Sequence, residues 1–449
     1  MDIKSKDYFN QNSSSYLPVN SKEMGSSLGI YTNFSANREP RGFQPKKGSN
    51  LYESLEHINT STGEVINTDS NGNIIFNSQE YRAKKYILQS AIRRILFGLY
   101  QVNNKSVQFR VTNCCRSIIP HKDLKVLKNK HDKAVFSGLM MCSSIWVCPV
   151  CGSKITERRA LEVGSCIDGW LGDSDNNLVL MLTFTFPHNS NQPLRFLMDR
   201  LKKALHGFQK TRPVRDIKNK YGFFEAIKSP EVTFGHANGW HPHQHELWFL
   251  SLPSSYSQSE LALFIQNFKL ELFPHWQRYC QKNGLDLPSF EHGLDICMGE
   301  NSQSYISKLG WDLASEITKT NMKKSKSDNR FSPYGLAEKF IKTNDIRYKK
   351  LFQEYACSTY GVQFLSRFPK LKKRYLVDDL TDEEISLSQD EDSIELGSIT
   401  FYQWQKILCH SSSHVILSLT ESKGWDYTKR YIRALPKPLI RKHSLEARA

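Results

Sequence analysis

Residues 221–250 read YGFFEAIKSPEVTFGHANGWHPHQHELWFL. Ala237-Asn238-Gly239 is a turn signal between two runs rich in aromatic and branched residues, so the stretch predicts two strands joined tightly. In a strand, residues i, i+2 and i+4 share a face. His241, His243 and His245 therefore point the same way. Three imidazoles on one sheet face are costly to bury without a partner, and a divalent metal is the natural one. Glu231 precedes the turn on the adjoining strand, where the hairpin brings it back over the histidine face. A carboxylate beside two imidazoles suits Mg²⁺ or Mn²⁺ better than a three-histidine set does. The pattern alone leaves the chemistry open, because zinc hydrolases use His-x-His as readily as nucleases do.

Working outward, LVLMLTFTF (178–186) is a further strand. Pro193 opens LRFLMDRLKKALHGFQK, a helix with a basic outer face, and Ser257 to about Gln281 forms a long helix. GLDICMG (293–299) is a short strand, and a helix runs from Asn301 to about Thr318. The order strand–helix–strand–strand–helix–strand predicts an α+β fold, with an antiparallel sheet carrying helices on one face in the manner of a ferredoxin-like sandwich.

On the last of these helices Tyr305 and Lys308 are three residues apart, side by side and about 4.5 Å apart along the axis. A free tyrosine titrates near pH 10 and is a weak nucleophile at neutral pH. A neighbouring ammonium favours the phenolate. A Tyr-x-x-Lys pair has little meaning alone and gains it from the His-x-His strand upstream.

Five of the ten cysteines lie between residues 107 and 160. Cys148-Pro149-Val150-Cys151 is a knuckle that presents two thiolates on one side, half of a tetrahedron around zinc. Cys142 and either Cys114 or Cys115 complete the expected structural site, with His121 and His131 as substitutes. Buried free thiols are the alternative. A redox pair is disfavoured, since no thioredoxin-like strand–motif–helix context surrounds it.

The chain has 449 residues, with 61 Lys+Arg against 45 Asp+Glu, a net charge of +16. Such an excess favours a polyanionic partner, nucleic acid being the usual one. The longest apolar runs are about half the length that spans a bilayer as a helix. The first residues carry no apolar h-region, so a cytoplasmic location is expected, with no membrane partner. The boundaries read as a poorly ordered Ser/Asn-rich segment (1–80), a helix plus cysteine-rich segment (81–165), and an α+β domain that carries the histidine strand and the tyrosine helix (170–320). A basic helical extension (321–377) and an acidic linker with a helical C-terminal region (378–449) follow.

These motifs, in order over about residues 107–435, resemble the plasmid rolling-circle replication initiator (Rep) proteins of the HUH endonuclease superfamily. CSSIWVCPVCGSKITERRA is similar to the family's cysteine segment, and MLTFTFPH to its first motif. EVTFGHANGWHPHQHELWFL is similar to its metal-binding motif, and YISKLGWDLASEIT to its tyrosine motif. LFQEYACSTYGVQFLSRFPKLKKRY and LTDEEI resemble stretches further downstream.

The resemblance implies an HUH nuclease core, a ferredoxin- or RRM-like palm. His243 and His245 would be the paired metal ligands and His241 accessory. Tyr305 would be the nucleophile that leaves a 5′-phosphotyrosyl link and a free 3′-OH, with Lys308 orienting or polarising that site. It also implies origin DNA with a hairpin or single-stranded nick site as substrate, and the host helicase and polymerase as partners. Some members place a glutamate one helical turn before the tyrosine to activate water at termination. Asn301 occupies that position here; Glu300, one residue off and about 100° around a helix, is one candidate, and Asp312 and Glu316 are others, Glu316 being about 16 Å along the axis. An HUH transposase or relaxase would use the same constellation. A non-catalytic zinc-containing DNA-binding regulator would fit the charge and the cysteines, but not the histidine strand.

Overall fold

The computed structural model describes residues 55–58, 65–68, 74–75, 78–129, 132–298, 330–388 and 393–437. The helix read over Asn301–Thr318, with Tyr305 and Lys308, and the adjacent Glu300 lie outside the described residues. The described chain forms two compact units.

The first unit takes residues 1–144, 148–151 and 383–449. It opens with three short antiparallel strands, β1 (Leu55–Ile58), β2 (Val65–Thr68) and β3 (Ile74–Ile75). These strands fall within the segment read as poorly ordered from its Ser/Asn-rich composition, most of which lies outside the described residues. Each strand is only two to four residues long, too brief to show as periodicity in the sequence. Helix α1 (Ser78–Ile95) leads to the hairpin β4 (Tyr100–Val102) and β5 (Lys105–Val107). Its two linking residues, Asn103 and Asn104, both have positive φ, 52° and 60°. A type I′ turn requires this, and asparagine tolerates it. Strands β6 (Leu124–Lys128) and β7 (Ala134–Ser137) pair with a strand from residues 394–399, and helices Phe401–Cys409, Ser413–Lys423 and Trp425–Ala434 follow.

The second unit takes residues 145–147 and 152–382. Its strands are β8 (Asn177–Phe184), β9 (Phe223–Gly235), β10 (Gly239–Ser251), β11 (Leu294–Cys297) and β12 (Arg330–Phe331). They form one sheet in the order β11-β8-β10-β9-β12, and every neighbour is antiparallel. The anticipated β–α–β–β–α–β sequence is present. Helix α2 (Pro149–Asp173) precedes it, α3 (Leu194–Lys210) and α4 (Arg212–Lys220) follow β8, and α5 (Gln258–Lys282) follows β10. Ser257 and Glu260 form a capping box at the start of α5.

Side-chain parity sorts the sheet's two faces. Phe184 packs edge-on against Phe208 of α3 and Trp276 of α5, and Trp248 against Phe268 of α5. These helices cover the face away from the histidines. The other face is not bare, contrary to the expectation of helices on one face. Trp170 of α2 meets Phe249 at 6.0 Å and donates to the Leu250 carbonyl. Ile155, Ala160, Val163 and Ile167 of α2 are fully buried, so the helix belongs to the core and runs on past the cysteine segment.

In the segment read as an acidic linker, several described carboxylates are ion-paired. In the second unit Asp378 pairs with Arg158, Asp379 with Lys372 and Asp382 with Arg159. In the first, Glu383 pairs with Arg110 and Glu395 with Lys125. A run of like charge is also what results when distant cations on a folded surface are matched one by one.

Beneath α3 and α4 lies a buried polar group. Glu246 is fully buried and accepts from Gln209, Gln244 and Trp248 Nε1. Lys218 lies over the Phe223 and Trp248 rings, 4.4 and 4.5 Å from their centroids. Burial pushes its pKa down to about 8, against the pull of Glu246. The folded value lies below the unfolded one, so the unfolded chain binds more protons from about pH 8 up to the ordinary lysine range. The Lys218 contribution to stability therefore rises with pH across that window. Lys218→Met is expected to flatten that rise, measured as urea midpoints at about pH 7 and about pH 9.5. An unchanged pH slope would place the ammonium in water.

Candidate metal centres

The hairpin register sets the first site. Glu231 faces His243 across β9 and β10, and the next facing pair along is Ser229 and His245. Glu231 Oε2 lies 3.0 Å from His243 Nε2 and 2.8 Å from His245 Nε2. All three residues are buried, with exposures of 5%, 9% and 5%. A six-coordinate ion with ligands near 2.1 Å separates adjacent donors by about 3.0 Å, so the spacing fits a hard divalent cation. A buried carboxylate whose one oxygen faces two imidazoles is also a donor set that a cation would relieve. On the far side of His245, Thr183 Oγ1 lies 3.0 Å from Nδ1. That contact fixes Nδ1 as the protonated nitrogen when Nε2 acts as ligand.

His241, expected as an accessory ligand, is not one of this group. Its Nδ1 meets Nε2 of His188, and the two rings are 4.7 Å apart. Burial, reinforced by His243 and His188, lowers His241 to about 3, and burial also lowers His188. Both rings are neutral at physiological pH. His188 Nδ1 lies 2.9 Å from the Asn238 carbonyl and so donates to it. His188 Nε2 is then an acceptor, His241 Nδ1–H donates to it, and His241 Nε2 carries the free lone pair.

His188 reaches this place because the turn after β9 is tight. Gly239 has φ +74°, and a Cβ there would lie 2.7 Å from the Ser190 Cα, so the loop after β8 can close on the hairpin only over glycine. Pro187-His188 lies beyond the strand, where periodicity says nothing. The MLTFTFPH motif contains both Thr183 and His188, but only the contacts to His245 and His241 give them a role.

The second site is in the first unit. Cys114, Cys142, Cys148 and Cys151 converge, with exposures of 1%, 3%, 0% and 0%. Sγ separations are 3.6 Å for Cys114–Cys151 and 3.7 Å for both Cys142–Cys151 and Cys114–Cys148. Zinc with Zn–S near 2.3 Å demands about 3.8 Å between tetrahedral thiolates, so four cysteines fit that ion. The Cys151 N–H points at Cys148 Sγ, and Gln89 Nε2 of α1 donates to the same sulfur at 3.2 Å. Arg93 holds Gln89 through its Oε1 and also donates to the Cys114 carbonyl.

Of the adjacent pair, Cys114 stands in the four-cysteine group, and Cys115 Sγ lies 3.6 Å from Cys114 Sγ but outside that group. Cys115 has φ +53°, its N–H bonds the Met140 carbonyl, and its sulfur lies against Met141 Sδ. His121 is exposed and outside the cluster, and His131 lies outside the described residues.

No helix among the described residues is long and apolar enough to cross a membrane. Two curated proteins are similar to part of the chain. "Protein rep" of Streptomyces lividans is 30% identical over 158 residues, covering 28% of this chain and 33% of its own length. "Neomycin resistance protein" of Streptomyces cyanogenus is 29% identical over 138 residues, covering 25% and 31%. The chain thus aligns with about a third of each relative's length. No solved structure matches. The replication protein (Rep) family model matches residues 135–407, which include β8–β11, the Glu231–His243–His245 group and three of the four clustered cysteines. That match covers more than half of the chain and bears out the resemblance read from the motifs: this protein belongs to the Rep replication protein family.

Proposed function

We propose that this protein starts rolling-circle replication of a plasmid, in the cytoplasm, as an HUH-type nickase and strand transferase acting at the double-strand origin. The observation that carries the reading is the convergence of Glu231, His243 and His245 on one face of an antiparallel sheet. The strand order β11-β8-β10-β9 supports an HUH palm beneath it. Family membership supports the replication role.

In this reading Glu231, His243 and His245 hold Mg²⁺ or Mn²⁺, and the four cysteines hold a structural Zn²⁺. The divalent ion would polarise the scissile phosphate and stabilise charge on its oxygens. Tyr305 is the nucleophile. Lys308 favours its phenolate, the proton going to solvent. The phenolate oxygen bonds to phosphorus, the P–O3′ bond breaks, and the departing oxygen takes a proton to become the 3′-OH that the host polymerase extends. Host helicase opens the duplex ahead of it. Rejoining is the reverse attack by a 3′-OH, and Glu300 would activate water when a round ends.

Tyr305 follows Cys297 of β11 by eight residues, a link of at most about 28 Å. This is compatible with attack beside β10. The exposed cations Lys202, Lys203, Lys210, Arg212 and Arg215 of α3 and α4 lie behind the sheet, on the face away from the histidines. They suit phosphate contacts that hold DNA without reading its sequence.

The test uses supercoiled plasmid carrying the protein's own origin, with Mn²⁺ or with EDTA. Glu231→Gln and His243→Ala are each expected to lower nicking by about 100-fold or more, with origin binding retained. Nicking at the normal rate in both variants would refute the role given to these residues. Binding without nicking in the unaltered protein, whatever the metal, would favour a zinc-containing DNA-binding regulator instead.

A further inference from the structure

Four side chains form a square on the histidine face of the β9–β10 hairpin. Glu231 and His243 face each other, and Ser229 and His245 are the next facing pair. Three of these corners converge on one point. The fourth, Ser229, is fully buried, and its Oγ has no hydrogen-bond partner among the described residues. One pair further along, Ile227 and Leu247 are both fully buried, so the face turns apolar there. On the other flank of His245 the Thr183 hydroxyl is already engaged by Nδ1.

A buried hydroxyl without a partner is costly, and alanine would fill the same place without that cost. A serine at the edge of a cation site is explained if its partner arrives with the ion. Mg²⁺ and Mn²⁺ favour oxygen-rich octahedral shells, and Mg²⁺ keeps several waters when protein-bound. Three protein donors leave room for such waters, and each needs a hydrogen-bond partner.

We propose that Ser229 is the fourth, outer-sphere member of this cation site, its hydroxyl holding a water of the hydration shell of a hard divalent ion. Ser229 is thus a positioning residue, which favours a hydrated hard cation over a dry, softer one. The inference rests on the reading of Glu231, His243 and His245 as the ion's ligands.

The experiment titrates the full-length, zinc-loaded protein with Mn²⁺, following free Mn²⁺ by electron paramagnetic resonance, and records melting in EDTA-treated buffer without Mn²⁺. Ser229→Ala is expected to weaken Mn²⁺ binding about 10-fold, the lower end of what outer-shell partners are worth. Its melting temperature without Mn²⁺ is expected to stay level or rise, because an unsatisfied hydroxyl has been removed. Ser229→Thr, which keeps the hydroxyl, is expected to bind more tightly than the alanine variant, and Glu231→Gln is expected to lose binding.

A merely structural serine would instead lower the melting temperature of the alanine variant and leave its Mn²⁺ affinity unchanged, which overturns the proposal. Normal affinity in Ser229→Ala with binding lost in Glu231→Gln rejects Ser229 alone and leaves the ligand group standing. No Mn²⁺ binding by the unaltered protein overturns both readings.

Discussion

Tyr305→Phe protein is expected to bind origin DNA as the unaltered protein does and to nick it at less than about a thousandth of the normal rate. The substitution deletes one oxygen and keeps the ring. Without the phenol oxygen no phosphotyrosyl bond can form at residue 305, so that covalent route closes rather than slows. A thousandfold loss corresponds to about 4 kcal/mol of barrier, which exceeds what a lost orienting contact usually costs. A gel-shift assay on an origin hairpin measures the binding, and relaxation of supercoiled origin plasmid measures the nicking. Nicking that persists within tenfold of normal would move the nucleophile elsewhere.

Cys151→Ser should have the second large effect, on stability rather than on chemistry. Cys151 is fully buried at the start of α2, and its sulfur lies 3.6 and 3.7 Å from those of Cys114 and Cys142. Folding free energy and zinc binding are linked in such a site, and the ion's contribution in small domains reaches about 10 kcal/mol. Losing one thiolate of four is expected to release the zinc and cost about 3 kcal/mol or more, a fall in melting temperature of about 10 °C. Zinc content by mass spectrometry and thermal melting by circular dichroism report the two halves of the effect. A variant that melts normally and carries no less zinc would show that these cysteines are buried thiols and nothing more.

Where local pattern and fold agree, the sequence was legible. The alternation through His241, His243 and His245 and the turn before them gave β9 and β10 and put Glu231 opposite the histidines, which the register confirms. Strand β8, helix α3 and helix α5 follow from apolar runs bounded by Pro193 and the Ser257 cap. The Cys-Pro-x-Cys knuckle pointed to its cluster, but adjacent Cys114 and Cys115 are equivalent in a linear reading. A left-handed backbone at Cys115 separates them, and no sequence rule reports it.

What failed to show depends on contacts between distant segments. His188 meets His241 across 53 residues of chain, and Asp378 meets Arg158 across 220. A charge run looks like a linker until its partners are placed. The position of α2 against the histidine face was hidden because its cysteines drew attention to its first turn alone. Ser229 has no signature at all. Its significance lies in the missing partner, which exists only once the strand is paired and buried.

A tyrosine–DNA bond, formed with the help of the proposed Glu231–His243–His245 ion site, is what separates a nickase from a DNA-binding regulator. The most direct measurement traps that bond. Purified protein would be incubated with a single-stranded origin oligonucleotide and Mn²⁺, digested with protease and nuclease, and the nucleotide-bearing peptide identified by mass spectrometry. The expected result is one adduct, a 5′-phosphorylated nucleotide on Tyr305, absent with EDTA and reduced about 100-fold or more by His243→Ala. An adduct on a different tyrosine, or cleavage that leaves no protein-bound nucleotide, would contradict it.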